Sequence, residues 1–161
     1  MARRLLLALL TLALFLEEPR TRLLQGQTGT VDGGVPSDAR ISPRDLAALL
    51  SKSDHPRPTL IFVGYHPLFV GAHIKGAIFA GPGSKPEGID QLKAVVRNIP
   101  RAHAVVVYCG CCPFDRCPNV QPSYKALREM GFTHVSVLHI PTNLHTDWVE
   151  KGYPTTRGAG Y

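Results

Sequence analysis

A short run of apolar residues ends on a cysteine, and every other cysteine of the chain follows within the next loop. Val105 to Tyr108 is rich in β-branched residues and reads as a buried strand, and Cys109 comes directly after it. A helical pattern begins near Asn119. A sulfur between a strand end and a helix start lies beside loop amides and the positive helix end, which favour thiolate over thiol. The remaining cysteines are Cys111, Cys112 and Cys117.

Strand and helix patterns alternate along the rest of the chain. Helices are predicted from the capping Ser42 onward and at 87–99, 119–130 and 143–151. Strands are predicted at 59–63, after the turn within 71–80, at 105–109 and at 135–138. This alternation predicts an α/β fold with a mostly parallel central sheet and helices on both faces. Ligands of such sheets bind at the carboxyl ends of the strands, which is where Cys109 is expected.

The N-terminus has the pattern of an export signal. Met1 to Arg4 is basic, Leu5 to Leu16 is apolar apart from one threonine, and Glu17 to Pro19 ends the run. The pattern predicts a signal peptide or N-terminal anchor over 1–25 and an exported, periplasmic protein. A membrane-anchored protein facing the periplasm is the alternative, and contact with the membrane is expected only through an uncleaved segment. Residues 26–40 are predicted to be a linker.

Size and charge restrict the classes of partner. The chain of 161 residues suits one domain with a core of its own. Its formal charge is +6 and falls to +4 when residues 1–25, with four arginines and two glutamates, are removed. The sequence has no stripe of basic residues interleaved with aromatic ones, so binding to nucleic acid is not predicted. A mild positive field suits a small anion. The sequence does not define an oligomeric state.

Four motifs resemble the rhodanese family of sulfurtransferases in their order and spacing. They cover residues 41–157, the predicted domain. The motifs are Ile41–Leu46, Ala72–Ile78, the strand end Val107–Cys109, and Gly131–Leu138 followed by Trp148 and Gly152–Pro154. The active loop of this chain is longer than the usual loop of the family and richer in cysteine.

The resemblance implies a three-layer rhodanese-like domain that transfers sulfane sulfur. Cys109 would take a sulfur atom from an anionic donor such as thiosulfate, become a persulfide, and pass the sulfur to cyanide or a thiol. Cys112 is the next candidate for the nucleophile, followed by Cys111 and Cys117. Arg116 is the permanent cation of the loop and suits an anionic donor. Neither a cofactor nor a metal is expected. The residues predicted to bind the donor are Gly110, Cys111, Cys112, Phe114 and Arg116.

Other functions fit the same cysteines. Cys109 to Cys112 contains a Cys-x-x-Cys pattern, so an envelope thiol–disulfide oxidoreductase is one alternative. Metal binding by the four cysteines, a non-catalytic rhodanese-like module, and a local disulfide from Cys111 or Cys112 to Cys117 are others. The spacing argues against phosphate-ester hydrolysis, because six residues separate Cys109 from Arg116 where a Cys-x5-Arg loop needs five.

Overall fold

Nine short strands and four α-helices make up the part of the chain that the computed structural model describes, residues 31–32 and 34–159. The predicted signal or anchor over 1–25 lies outside the described residues. The strands are β1 (Val31–Asp32), β2 (Val35–Pro36), β3 (Arg40–Ile41), β4 (Thr59–Phe62), β5 (His73–Ile74), β6 (Ile78–Phe79), β7 (Val105–Tyr108), β8 (Val135–Leu138) and β9 (Thr155–Thr156). The α-helices are α1 (Pro43–Ser51), α2 (His66–Gly71), α3 (Pro86–Val96) and α4 (Val120–Glu129).

A five-stranded sheet in the order β3-β8-β7-β4-β6 forms the centre of the fold, and its neighbouring strands are all parallel. The predicted α/β class with a parallel central sheet is therefore confirmed. Two small antiparallel pairs, β1 with β2 and β5 with β9, lie outside this sheet. Strand β7 occupies the middle position, where strands on both sides and helical layers on both faces bury it.

Strand β7 supplies alternate residues to two buried clusters. Val105 and Val107 pack in the cluster that includes residues of α3 and α4, whereas Val106 and Tyr108 pack in the cluster that includes α1, α2 and Trp148. The residues of both clusters are almost completely buried, as expected around a strand that is covered on both faces. Cys109 continues the first series, so its side chain lies on the α4 side of the sheet.

The local signals at the first helix are confirmed. The Ser42 Oγ accepts a hydrogen bond of 3.1 Å from the main-chain N–H of Asp45, and Pro43 occupies the first turn of α1. Helix α4 is followed by Gly131, whose φ of +87° suits a glycine beyond a helix end. The last helical segment differs from its prediction, because it is a π-helix confined to His145–Val149.

Several local features escaped the sequence patterns, among them the short antiparallel strands β5 and β9. Helix α2 was not predicted, because six residues with one buried member, Phe69, give no apolar periodicity. Within the predicted linker, Val35 is fully buried in the core and Arg40 belongs to β3. The Arg40 guanidinium donates hydrogen bonds of 3.1 and 2.7 Å to the carbonyl of Val35. Among the described residues, no helix has the length and apolar character needed to cross a bilayer.

We predict that Tyr108→Phe destabilises the domain by about 1–3 kcal/mol. The buried Tyr108 hydroxyl accepts a hydrogen bond of 3.0 Å from the main-chain N–H of Ile74, and phenylalanine would leave that donor without its partner. Urea unfolding measures the change in the free energy of unfolding. Tyr65→Phe is the matched control, because Tyr65 is 48% exposed. Equal stability of the two variants would contradict the prediction.

Candidate active site

The loop between β7 and α4 is anchored to the core through Phe114. This side chain is 5% exposed and packs against the ring of His139, with 4.8 Å between ring centroids. The guanidinium of Arg40 lies 4.8 Å from the centre of the same ring. The main-chain N–H of Phe114 also donates a hydrogen bond of 2.8 Å to the carbonyl of Ile140. Phe114 therefore faces the core and fixes the short 3₁₀ turn that precedes Cys117.

The loop brings three sulfur atoms together at the carboxyl end of β7. The Sγ atoms of Cys109, Cys111 and Cys117 all lie within 4.8 Å of one another, and those of Cys109 and Cys111 are 3.3 Å apart. Cys112 extends the group, with its Sγ 2.9 Å from that of Cys111. None of the four cysteines is in a disulfide in this structure, and the bridge from Cys111 or Cys112 to Cys117 was one of the alternatives that the sequence left open.

The buried side chain of Asn119 connects Cys109 to the segment that precedes α3. Its Nδ2 donates a hydrogen bond of 3.4 Å to the Cys109 Sγ, and its Oδ1 accepts one of 3.1 Å from the main-chain N–H of Ser84. The main-chain carbonyl of Asn119 accepts a hydrogen bond of 2.8 Å from the Ser123 hydroxyl. Asn119 was not among the site residues predicted from the sequence, since an asparagine at a helix start is ordinarily a cap.

Glycine backbones leave room for these groups. A Cβ atom added at Gly64 would lie 2.9 Å from the Cys109 Sγ, and one added at Gly83 would collide with the Asn119 carbonyl. At Gly110 an added Cβ would lie 3.0 Å from the Cβ of Leu144. Gly110 has an ordinary backbone angle, because among the described residues the positive φ values belong to other glycines. The glycine at this position provides space for Leu144.

Hydrogen bonds favour a thiolate at Cys117. The Cys109 thiol donates to its sulfur, and so do the main-chain N–H groups of Asn119 and Val120 at the start of α4, which together lower the pKa of Cys117 to about 6 against the opposing effect of burial. The same hydrogen bond, with burial and the negative charge on Cys117, raises the pKa of Cys109. Burial and the Cys111 sulfur raise the pKa of Cys112.

The helix terminus thus acts on a different cysteine from the expected one. The sequence predicted the amides of the helix start beside Cys109, whereas the structure directs them at Cys117. The reason is the length of the loop, which turns through Phe114–Arg116 before it enters α4 and so brings Cys117 next to the first helical residues. The main-chain N–H of Cys111 is the loop amide that donates to Cys109.

The remaining predicted residues lie around the cluster. Gly110 is half-buried, and its carbonyl accepts a hydrogen bond of 3.2 Å from the main-chain N–H of Leu144. Arg116 is exposed on the 3₁₀ turn, and its carbonyl lies 3.9 Å from the Cys112 Sγ. Cys111 is exposed, and Cys112 is half-buried. The loop therefore combines a buried thiol, a half-buried thiolate and exposed neighbours.

A mostly apolar cavity of about 270 Å³ lies beside Gly110. Phe62, Leu68 and Leu144 contribute to its walls, and His145 and Arg157 are its basic residues. A Cβ atom added at Gly64 would approach both the ring of Phe62 and the Cys109 Sγ, so Phe62 lies near the cluster as well as in the cavity wall. Sequence patterns did not indicate this cavity, since its walls come from distant segments of the chain.

The cluster also has the chemistry of a metal site. Cys109, Cys111 and Cys117 could bind one soft ion, since thiolates are the preferred ligands of zinc and copper(I). Tetrahedral zinc with sulfur at about 2.3 Å places its ligands about 3.8 Å apart. Small adjustments of the three side chains would reach this separation.

Neither a protein-family profile nor a curated protein matches the chain. Solved structures do. The rhodanese-like domain of the Alr3790 protein from Anabaena sp. superposes with a TM-score of 0.57 and 21% identity, over 75% of this chain and 80% of that one. The chain has a rhodanese-like fold. The BH2092 protein from Bacillus halodurans gives a TM-score of 0.54 with 17% identity, over 75% of this chain and 78% of that one.

A further match is EanB, with a TM-score of 0.54 and 26% identity over 73% of this chain. This chain spans 28% of the EanB chain. The matched structure is a variant of EanB captured as a cysteine persulfide, in a tetrahedral intermediate state with ergothioneine. In the present rhodanese-like domain, the cysteine cluster lies in the active-loop region.

We predict that Cys117 titrates near pH 6 and that Cys109→Ala moves its pKa upward. A lowered pKa means that Cys117 is a thiolate above about pH 6 and a thiol below it. Cys109→Ala removes the strongest hydrogen-bond donor, so a higher pH would then be needed to ionise Cys117. Alkylation with iodoacetamide over a pH series, mapped to each cysteine by mass spectrometry, measures the inflection.

Cys112→Ala is the matched control for this titration, because Cys112 is the weakest of the donors to Cys117. It should move the inflection less than Cys109→Ala does. An inflection of Cys117 near the ordinary thiol value of about 8.5 in the wild-type protein would contradict the prediction.

Proposed function

We propose that the domain is a sulfurtransferase that carries sulfane sulfur as a persulfide on Cys109. The observation that carries the proposal is the environment of this thiol, which is 3% exposed and lies at the end of the central strand. It accepts hydrogen bonds from Asn119 Nδ2 and the Cys111 N–H and donates one to Cys117. A persulfide is a larger, ionised group that needs donors and shielding from water, and these groups supply both.

Cys117 would act as the proton acceptor of the first step. Its thiolate already accepts a hydrogen bond from the Cys109 thiol, and two helix amides stabilise the negative charge. Because the pKa of Cys117 is lowered and that of Cys109 is raised, this proton transfer is unfavourable by itself, and it would accompany the attack of the Cys109 sulfur on the donor, as negative charge passes to the departing sulfite. General-base assistance of this kind usually contributes about 10²–10⁴-fold to a rate.

Sulfur transfer would then proceed in two balanced displacements. The Cys109 thiolate attacks the outer sulfur of thiosulfate, the S–S bond of the donor breaks, and sulfite leaves with the electron pair. In the second step cyanide or a thiolate attacks the outer sulfur of the persulfide. The Cys109–sulfur bond breaks, and Cys109 leaves as a thiolate that recovers its proton from Cys117. Neither displacement requires an external oxidant or reductant.

Exposed parts of the loop would receive the donor. Arg116 provides a cation next to the cluster, and the N–H-bearing segment Gly110–Cys112 borders the Cys109 sulfur. The excess of positive charge on the chain would assist the approach of an anion. Phe114 would contribute indirectly by anchoring the loop to the core. EanB, the match that forms a cysteine persulfide, supports persulfide chemistry on this fold.

We also propose that the domain works outside the cytoplasm. The support is the basic start and the apolar run Leu5 to Leu16. Export would place the cysteine cluster in the periplasm, where small anions from the medium have access.

We predict that Cys109→Ser abolishes thiocyanate formation from thiosulfate and cyanide. A serine hydroxyl stays protonated near neutral pH and cannot carry sulfane sulfur. In Cys117→Ser the rate of thiocyanate formation should fall by about 10²-fold at neutral pH but stay measurable, because the proton acceptor is lost while the nucleophile remains. Cys111→Ser and Cys112→Ser should also retain measurable activity. The assay is the rate of thiocyanate formation for each variant.

The same series separates the rival functions. Full activity of Cys109→Ser with loss in Cys117→Ser would move the nucleophile to Cys117, the cysteine with the lowered pKa. Metal binding is the second candidate, favoured by the three convergent sulfurs. Metal binding would be supported in place of sulfur transfer if the protein purifies with a stoichiometric metal ion and Cys111→Ser loses that ion. Reduction of protein disulfides without thiocyanate formation would favour a thiol–disulfide oxidoreductase.

We predict that Arg116→Ala weakens the use of thiosulfate by about 1.5–3 kcal/mol, as for a lost charged hydrogen bond. The effect should appear in kcat/KM for thiosulfate and should be smaller for an uncharged sulfane donor. Arg128→Ala is the matched control, since Arg128 lies in α4 and donates hydrogen bonds to the carbonyls of Phe132 and Thr133. An equal loss for charged and uncharged donors would show that Arg116 acts only through loop structure.

A further inference from the structure

The proposed carrier of sulfur is enclosed. The Cys109 side chain is 3% exposed, and its sulfur lies between Asn119, the backbone of Gly64 and the neighbouring thiols. A sulfane sulfur bonded to Cys109 would extend the side chain by about 2.05 Å, which is less than the 3.3 Å between the Cys109 and Cys111 sulfurs. A small nucleophile such as cyanide can enter such a site, whereas a cysteine on a peptide or protein needs a more accessible sulfur.

A continuous series of sulfur atoms leads from this position to solvent. The exposed Cys111 has its Sγ 3.3 Å from that of Cys109, so the outer sulfur of a Cys109 persulfide, bonded about 2.05 Å from the Cys109 Sγ, would lie within about 5.4 Å of the Cys111 sulfur in any orientation. Cys117 is also close, but four donors hold its sulfur as the proton acceptor, and it is half-buried rather than exposed. Cys111 is therefore the neighbour placed to receive sulfur and to present it outside.

We propose that sulfane sulfur passes from Cys109 to Cys111, and that Cys111 delivers it to a thiol acceptor too large to enter the site. The inference rests on the proposed function, since it requires that Cys109 first forms a persulfide. It goes beyond that function by naming the class of acceptor, a peptide or protein thiol, and the residue that meets it.

The transfer balances without an added oxidant or reductant. The Cys111 sulfur attacks the outer sulfur of the Cys109 persulfide and forms a new S–S bond with it. The bond between that sulfur and Cys109 breaks, and its electron pair stays on Cys109 as a thiolate. The proton of Cys111 moves to the transferred sulfur. The acceptor thiolate repeats the displacement at Cys111, which leaves as a thiolate.

The test compares a small acceptor with large ones. Wild-type protein, Cys111→Ser and Asp115→Asn are loaded with thiosulfate, freed of excess donor, alkylated and mapped by mass spectrometry. We expect sulfane sulfur on both Cys109 and Cys111 in the wild-type protein, and on Cys109 alone in Cys111→Ser. Discharge is then timed with cyanide and with a cysteine-containing peptide.

The ratio of the two discharge rates carries the result. In Cys111→Ser the rate to the peptide should fall by at least about tenfold relative to the rate to cyanide, because the accessible carrier is missing. Asp115→Asn is the control and should keep the wild-type ratio, because Asp115 is exposed on the same loop and has no part in the proposed site. Cys111→Ala gives a second variant without the thiol, and loading of Cys109 in either variant shows that the site is folded.

Each other outcome contradicts a distinct part of the proposal. An unchanged ratio in Cys111→Ser, with Cys109 normally loaded, would overturn the relay and leave the sulfurtransferase proposal intact. Release of hydrosulfide with a Cys109–Cys111 disulfide would show that Cys111 attacks the inner sulfur, so the sulfur is expelled rather than relayed. If no cysteine of the wild-type protein gained sulfur, the proposed function itself would fail.

Discussion

The burial of β7 between two helical layers determines where the chemistry of this domain can take place. Its four residues are almost completely shielded from solvent, and hydrogen bonds to β4 and β8 hold it on both sides. Cys109 is the first residue beyond these ladders, so its position is as well defined as the core itself. A nucleophile attached to a rigid element keeps its geometry without depending on a mobile loop.

The other sulfurs depend on a loop that is restrained at several points. Phe114 holds it to the core, and Asn119 links it to Ser84 and Ser123 through its own polar atoms. These contacts bring Cys117 to the start of α4, where main-chain amides stabilise its charge. Acidity and burial are thus divided between two cysteines. In the proposed mechanism Cys117 accepts a proton, and Cys109 carries sulfur.

Sequence patterns predicted the parts of the structure that depend on local order. The β-branched run Val105 to Tyr108 and the capped helix at Ser42 were both recognisable, and the parallel sheet followed from their alternation with helices. Helix α2 was not, since it is too short for periodicity.

The site was less predictable because its contacts join distant residues. The hydrogen bond from Ser84 to Asn119 spans 35 positions. The space that Gly64 provides for the Cys109 sulfur is likewise visible only after folding. The loop conformation, rather than the order of the residues, also decided which cysteine receives the helix amides. Clustering of the cysteines could be read from the sequence, but the division of roles among them could not.

The contact between Arg40 and Phe114 has a consequence for how the domain can be excised. Arg40 packs its guanidinium over the ring that anchors the loop, while its hydrogen bonds hold the carbonyl of Val35. Support for the cysteine cluster therefore extends into the polypeptide ahead of α1. A truncated protein that starts at Ile41 would keep every cysteine and most of the sheet, yet it would lose the Arg40 guanidinium that packs over the Phe114 ring. Proteolytic trimming in this region would loosen the loop without touching a sulfur atom.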